Sequence, residues 1–406
     1  MVLRNNYFNG DAILNNTKSV GYPNFFEKLG YSDIEVNKKL QEIFTTMFYG
    51  SEDERIYHTV GDDMGYMVDT GNNDARTEGM SYGMMMCVQL DRKEEFDRIW
   101  KWAKTYMYMD KGPNRGFFCW SNSLDGSKNA EGAAPDGEEF FAMALIFASH
   151  RWGDGEGIFN YSKEAKELLH NMIREGSSDE FGEKIGRGMF DPENHQIRFI
   201  CEVDFTDPSY HLPHFYELYA ENCYEEDREF FKEAAKASRE FWHKACHYKS
   251  GLSAEYSHYD GTPYEITDTA WGKHDWYYSD AYRTILNIAL DYTWNKADSW
   301  QIEEGSLFLD YFVNKVTVDK WDKVYDWDGT IRTEDALHPV AIIATNAAAA
   351  ALVLNDECNN AAVKECALIA LRKFWDTPLR KGNRRYYDNC LYMFSFLLLS
   401  GNYRIW

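Results

Sequence analysis

Thr77-Glu78-Gly79-Met80-Ser81-Tyr82-Gly83-Met84 follows a polar loop and opens a helix in which small and apolar residues predominate on all sides. Such a helix belongs in an interior, because it offers no face suited to water. Glycine costs roughly 1 kcal/mol in a helix interior. Gly79 and Gly83 stand four residues apart and keep one helical face bare, so something must pack closely there. The next pattern is of the opposite kind: residues 94–108 form an amphipathic helix with a charged face.

The same alternation runs along the chain. Amphipathic helices are expected at about residues 34–48, 94–108, 162–174, 226–246, 298–314 and 359–374, and these belong on the outside. Between them lie more apolar helices beginning near Glu78, Asp136, Tyr210, Asp280, Pro339 and Tyr387, which belong inside. Continuous alternating strands are scarce, and no linker composition divides the chain. Six outer and inner pairs without residue-level repetition close into a double ring, so the fold expected is all-α, an (α/α)6 barrel forming a single domain over residues 1–406. In that arrangement the inner helices run parallel, and the loops entering their N-termini gather at one end. Several of these loops, 49–77, 109–135 and 176–209, are long and polar, as functional loops are.

Composition narrows the ligand. A formal charge of −23 argues against nucleic acid, which is bound by neutralising phosphates with Lys and Arg, and against anionic membrane surfaces. Thirteen Trp, 28 Tyr and 25 Phe exceed what core filling requires, and flat aromatic faces suit sugar rings. The N-terminus MVLRNNYFNGDAILNNTKSV has no apolar h-region, so a cytoplasmic protein is expected. Eight scattered cysteines without a CxxC pair read as reduced thiols. Motifs for dinucleotides, P-loop phosphates, zinc proteases and the nucleophile elbow are missing, so neither cofactor nor metal is expected. His243 and His247 would share a face of an outer helix and are read as surface residues rather than metal ligands.

Three acids stand at inner-helix entries: Glu78, Asp136 in Ala134-Pro135-Asp136-Gly137, and Asp280 in Ser279-Asp280-Ala281-Tyr282-Arg283. Each taken alone reads as a helix cap or, for Asp280 with Arg283, as a local ion pair. Recurrence at one barrel mouth in three different repeats favours a joint role. Two carboxyl groups flanking a glycosidic bond suffice for hydrolysis, one donating a proton to the leaving oxygen while the other activates water or attacks directly.

Four motifs in order, TEGMSYGM (77–84), PDGEEFF (135–141), DPSYHLPHFY (207–216) and WYYSDAYR (276–283), resemble glycoside hydrolase family 8. The resemblance runs from about Gly21 to the C-terminus. It implies an (α/α)6 barrel and inverting hydrolysis of β-1,4-linked chains, with Glu78 as general acid, Asp280 as general base and Asp136 contacting the distorted sugar. By the same resemblance Tyr210 supplies a hydroxyl near the reacting centre, Arg283 keeps Asp280 charged and oriented, and Trp120 stacks on a sugar. Tyr387, at the sixth inner-helix entry, is counted with the substrate-binding residues. Ala336-Leu337-His338-Pro339 resembles a loop of the family's reducing-end xylose-releasing exo-oligoxylanases, in which His338 would meet the leaving xylose. The expected partner is a neutral β-1,4-linked xylo-oligosaccharide, bound by a monomer. The alternatives are an endo-acting family member, a sugar epimerase, and a carbohydrate-binding protein without catalysis. Epimerases usually rely on paired histidines, and His338 has no evident partner in the sequence.

Overall fold

A computed structural model describes residues 21–179, 181–265, 274–355 and 357–406. The stretch read for an export signal, residues 1–20, lies outside the described residues. The helices in chain order are α1 (Asp33–Tyr49), α2 (Thr77–Gln89), α3 (Lys93–Trp102), α4 (Pro135–Trp152), α5 (Tyr161–Met172), α6 (Pro213–Asn222), α7 (Arg228–Ala245), α8 (Tyr282–Asn295), α9 (Trp300–Asp310), α10 (Pro339–Ala348), α11 (Ala350–Val353), α12 (Ala361–Asp376) and α13 (Arg385–Leu399). Their starts follow local chemistry. Ser32 and Glu35 form a capping box at α1, Asn160 and Asn360 cap α5 and α12, and proline occupies the first turn of α4, α6 and α10.

Helices α2, α4, α6, α8, α10 and α13 pack side by side in that order, and α13 returns to α2. Around this ring α3 packs on α2, α5 on α4, α7 on α6, α9 on α8, α12 on α10 and α1 on α13. The result is an all-α (α/α)6 barrel, closed where the first helix meets the last. Burial follows the two sequence patterns: every residue of α13 is buried, whereas α3 buries only Phe96, Ile99, Trp100 and Trp102. One hydrophobic cluster extends from Phe25 to Tyr403.

The described strands are short and all lie in loops leading to inner helices. They are β1 (Tyr57–Val60), β2 (Met64–Met67) and β3 (Ala75–Arg76) before α2, β4 (Ser121–Asn122) before α4, β5 (Ser177–Ser178) and β6 (Lys184–Ile185) before α6, β7 (Trp276–Tyr277) before α8, and β8 (Lys323–Asp326) and β9 (Ile331–Asp335) before α10. Antiparallel pairs β1–β2, β3–β4 and β5–β6 and the sheet β7-β8-β9 therefore stiffen a single end of the barrel.

Two details differ from expectation. Tyr210 and Asp280 lie not in inner helices but in 3-10 turns just before them, Pro208–Tyr210 and Ser279–Ala281. His247 falls beyond the end of α7 and is buried against Ser250, so it neither shares a helical face with His243 nor lies on the surface.

The bare strip of α2 meets two neighbours. A Cβ on Gly79 would lie 2.6 Å from the Tyr386 hydroxyl, and one on Gly83 would lie 2.7 Å from Met67 Cγ. Met67 can flex, whereas Tyr386 is fixed by its hydrogen bond to Glu78. Gly79→Ala should therefore destabilise the fold by about 1–3 kcal/mol through overpacking, despite alanine's better helix propensity. Urea unfolding of wild type and variant checks this, and an unchanged or raised midpoint would refute it.

Candidate active site

Arg283, in the first turn of α8, is the point on which the barrel mouth converges; its side chain is 4% exposed. Nη1 donates to Glu78 Oε2 at 2.9 Å, to Asp136 Oδ2 at 3.1 Å and to the Tyr82 hydroxyl at 3.1 Å. Nε donates to Ser209 Oγ at 3.1 Å, and Nη2 lies 3.2 Å from Asp280 Oδ1 and 3.8 Å from Asp207 Oδ2. One guanidinium thus serves four carboxylates from four inner-helix entries. The local Asp280–Arg283 pair exists, but it is only one of four contacts. A planar fork of donors suits this sharing, which a lysine could not reproduce.

Each acid is set by its own segment. Glu78 stands in the first turn of α2, where the Tyr386 hydroxyl donates to its Oε1 at 2.7 Å. Asp136 follows Pro135 at the start of α4 and accepts from the Gly137 N–H at 2.9 Å. Asp207 caps the 3-10 turn Pro208–Tyr210 through the Ser209 N–H at 2.7 Å. Asp280 follows Ser279, whose φ of +40° is in the left-handed region, a strain of about 1–3 kcal/mol. The Tyr387 hydroxyl donates to the Ser279 carbonyl at 3.0 Å and holds that turn. Behind it, buried Glu255 accepts from His274 Nδ1 at 2.6 Å and faces the Asp280 N–H at 3.5 Å.

Burial and charge separate the acids. Burial pushes the Glu78 carboxyl up to about 8, against the pull of Arg283 and the Tyr386 hydroxyl and with added repulsion from Asp136 and Asp280. Burial raises Asp136 to about 6, again opposed by Arg283 and aided by Asp280. Asp207 is held well above the usual range by burial and then by Asp280. Asp280 has the most accessible side chain, 26% against 14% for Glu78, 11% for Asp136 and 0% for Asp207. A proton-bearing acid and a water-accessible carboxylate therefore flank one cleft, bound to different nitrogens of Arg283 rather than to each other. That is the equipment for acid–base cleavage of a glycosidic bond.

The remaining sequence-selected residues gather here too. Tyr210 is buried with its ring 5.3 Å from Arg283 Cζ. Trp120 is partly exposed at the edge; its carbonyl accepts from the Thr77 N–H at 3.0 Å, and Arg76, paired with Asp69 and Asp74, lies 5.3 Å from its ring. His338 precedes α10, its ring 4.9 Å from that of Tyr387 and its Nδ1 3.2 Å from Asp388 Oδ2. Among the described residues no group of three His, Cys, Asp or Glu is arranged to hold a metal ion. Sequence reasoning missed Tyr82, Asp207, Glu255, Tyr386 and Asp388. Asp207 was within reach, since it opens a quoted motif, and the bareness of Gly79 signalled a partner without naming Tyr386.

Residues 62–400 match the model of glycosyl hydrolases family 8. The chain is 47% identical over 385 residues to reducing-end xylose-releasing exo-oligoxylanase Rex8A of Paenibacillus barcinonensis, spanning 95% of this chain and 97% of that protein. It is 48% identical over 386 residues to a reducing end xylose-releasing exo-oligoxylanase of Halalkalibacterium halodurans, spanning 95% and 94%. Identity to Endoglucanase 2 of Ruminiclostridium josui is 27% over 340 residues, spanning 82% of this chain and 65% of that protein. The solved structure of Rex8A complexed with xylose resembles this one with a TM-score of 0.88 at 48% identity, over 95% of this chain and 97% of that one. A Rex8A variant complexed with an arabinofuranosyl-xylotetraose gives a TM-score of 0.87 at 48% identity, over 94% and 96%. With its motifs converging on one acidic cleft and its sequence matched across the family model, this chain belongs to glycoside hydrolase family 8 and is a glycoside hydrolase.

Proposed function

We propose that this enzyme releases xylose from the reducing end of β-1,4-xylo-oligosaccharides with inversion, using Glu78 as acid and Asp280 as base. The observation that carries the exo reading is Leu337-His338-Pro339 clamped at the mouth, with His338 beside Tyr387, the residue that holds the turn of Asp280. Likeness over nearly the whole chain to two proteins named for that activity supports it, against weaker likeness to endoglucanases. The substrate distorts over Asp136, Tyr210 offers its hydroxyl nearby, and Trp120 stacks on a sugar. The single hydrophobic cluster supports one catalytic domain, and exposed apolar side chains such as Ile34, Phe181 and Tyr248 on separate elements support a monomer. Eight buried, unpaired cysteines support a reducing, cytoplasmic setting. No described helix is long and apolar enough to cross a membrane.

Inversion requires a water between base and anomeric carbon, and the two carboxylates, spread across a guanidinium, suit it better than close contact would. Proton NMR of xylotriose hydrolysis should show the α-anomer of the newly formed end first; initial β-product would sink the mechanism. Glu78→Gln and Asp280→Asn should each lower turnover by about 10²–10⁴-fold or more with the fold intact.

The pH dependence follows from Glu78. A general acid must be protonated, so kcat/KM should fall as pH rises through about 8. The Tyr386 hydroxyl donates to the carboxylate and favours its charged form, so Tyr386→Phe should raise the acid's pKa and move the alkaline limb to higher pH. A limb that stays or moves down would contradict this.

Exo-action predicts that reducing the terminal xylose of xylotriose to its alditol nearly abolishes cleavage, because a buried polar group left unpaired is costly. His338→Ala should slow turnover and relax that preference. Equal rates on xylotriose and its alditol would return the enzyme to the endo-acting alternative.

A further inference from the structure

Helix α10 begins without a cap of its own: His338, at the capping position, makes no side-chain cap bond. The cap comes from another helix. Asp388 in the first turn of α13 has a fully buried side chain and accepts the Ala341 N–H at 2.8 Å through Oδ1. Its Oδ2 accepts from His338 Nδ1 and from Arg380 Nη1, and the same Arg380 nitrogen donates to the Leu337 carbonyl at 2.6 Å. One carboxylate thus caps α10, orients His338 and, through Arg380, clasps the residue before it.

The orientation has a chemical consequence. Facing a carboxylate, Nδ1 carries the hydrogen, and in that tautomer Nε2 is the acceptor, with no protein partner among the described residues. The side chain keeps 11% of its surface accessible. An acceptor there takes a hydrogen from a hydroxyl. The residue immediately before Asp388 reaches the other way: Tyr387 sets its ring at a tilt against that of His338, 4.9 Å between centres, and holds the strained Ser279 carbonyl, beside Asp280, with its hydroxyl. Successive helical residues point about 100° apart, so one turn of α13 reaches both α10 and the entry to α8.

We propose that Tyr387 and Asp388 are positioning residues that tie recognition of the leaving sugar to placement of the base, Asp388 by fixing the tautomer and aim of His338 and Tyr387 by holding the turn of Asp280. This rests on the reducing-end reading above. Asp388→Asn puts an amide donor where a donor already points, so His338 loses its fixed tautomer. Tyr387→Phe keeps the ring against His338 but frees the Ser279 carbonyl.

The test is steady-state kinetics on xylotriose and its alditol for wild type, His338→Ala, Asp388→Asn, Arg380→Gln and Tyr387→Phe, with thermal unfolding of each. Asp388→Asn should raise KM for xylotriose and cut the preference over the alditol by about tenfold, the scale of a hydrogen bond to a charged group. Arg380→Gln leaves the Ala341 cap in place and should relax the preference in the same direction. Tyr387→Phe should lower kcat by about tenfold with the preference intact. A merely structural role predicts parallel losses of kcat and melting temperature with no such split, and that result overturns the proposal. So does retention of the full preference in both Asp388→Asn and Arg380→Gln when His338→Ala loses it, in which case the reducing-end reading stands alone. If wild type shows no preference, both fall together.

Discussion

The burial of one guanidinium charge among four carboxylates organises this molecule. Arg283 could not be taken out of water without partners, and the acids could not be packed together at the barrel mouth without a cation. Burial works against its charge, but Asp280 and the surrounding groups hold its pKa well above the usual value. The cluster is therefore the structural solution to a buried cation, and it is also where the proposed chemistry takes place. Removing any member leaves the rest unbalanced.

The barrel supplies the members in the simplest way. Parallel inner helices bring several N-termini to one end, where the helix dipole favours anions. That field alone would keep every carboxyl ionised. Burial and mutual repulsion oppose it, and Glu78, inside the ring of acids, ends up near 8. Asp280 sits in a more accessible, strained turn that Tyr387 holds in place. The two carboxyl groups come apart because their environments differ, although they are chemically alike, and the proposed division into acid and base rests on that difference.

Short strands complete the mouth. The β3–β4 pair brings Trp120 beside Glu78, and the β7-β8-β9 sheet joins the loop before Asp280 to the one that leads into Leu337-His338-Pro339. Loops of this kind, carried on a rigid ring of helices, can change the shape of the mouth without changing the barrel.

The sequence by itself determined the alternation of exposed and buried helices, the end at which their entries gather, and the acids standing there, because a helix's period and its terminal residues report burial and direction locally. It also registered that Gly79 and Gly83 needed close neighbours. Only the tertiary structure decided which neighbours. Arg283 meets Glu78 across 205 residues of chain and Tyr386 meets it across 308. Local pattern places a residue on a face of its own helix, but not the rotation of that helix against five others. Hence the sharing of Arg283 by four acids, the raised Glu78 and the partner of His338 emerged only once the ring was closed, since each depends on distances between helices far apart in the chain.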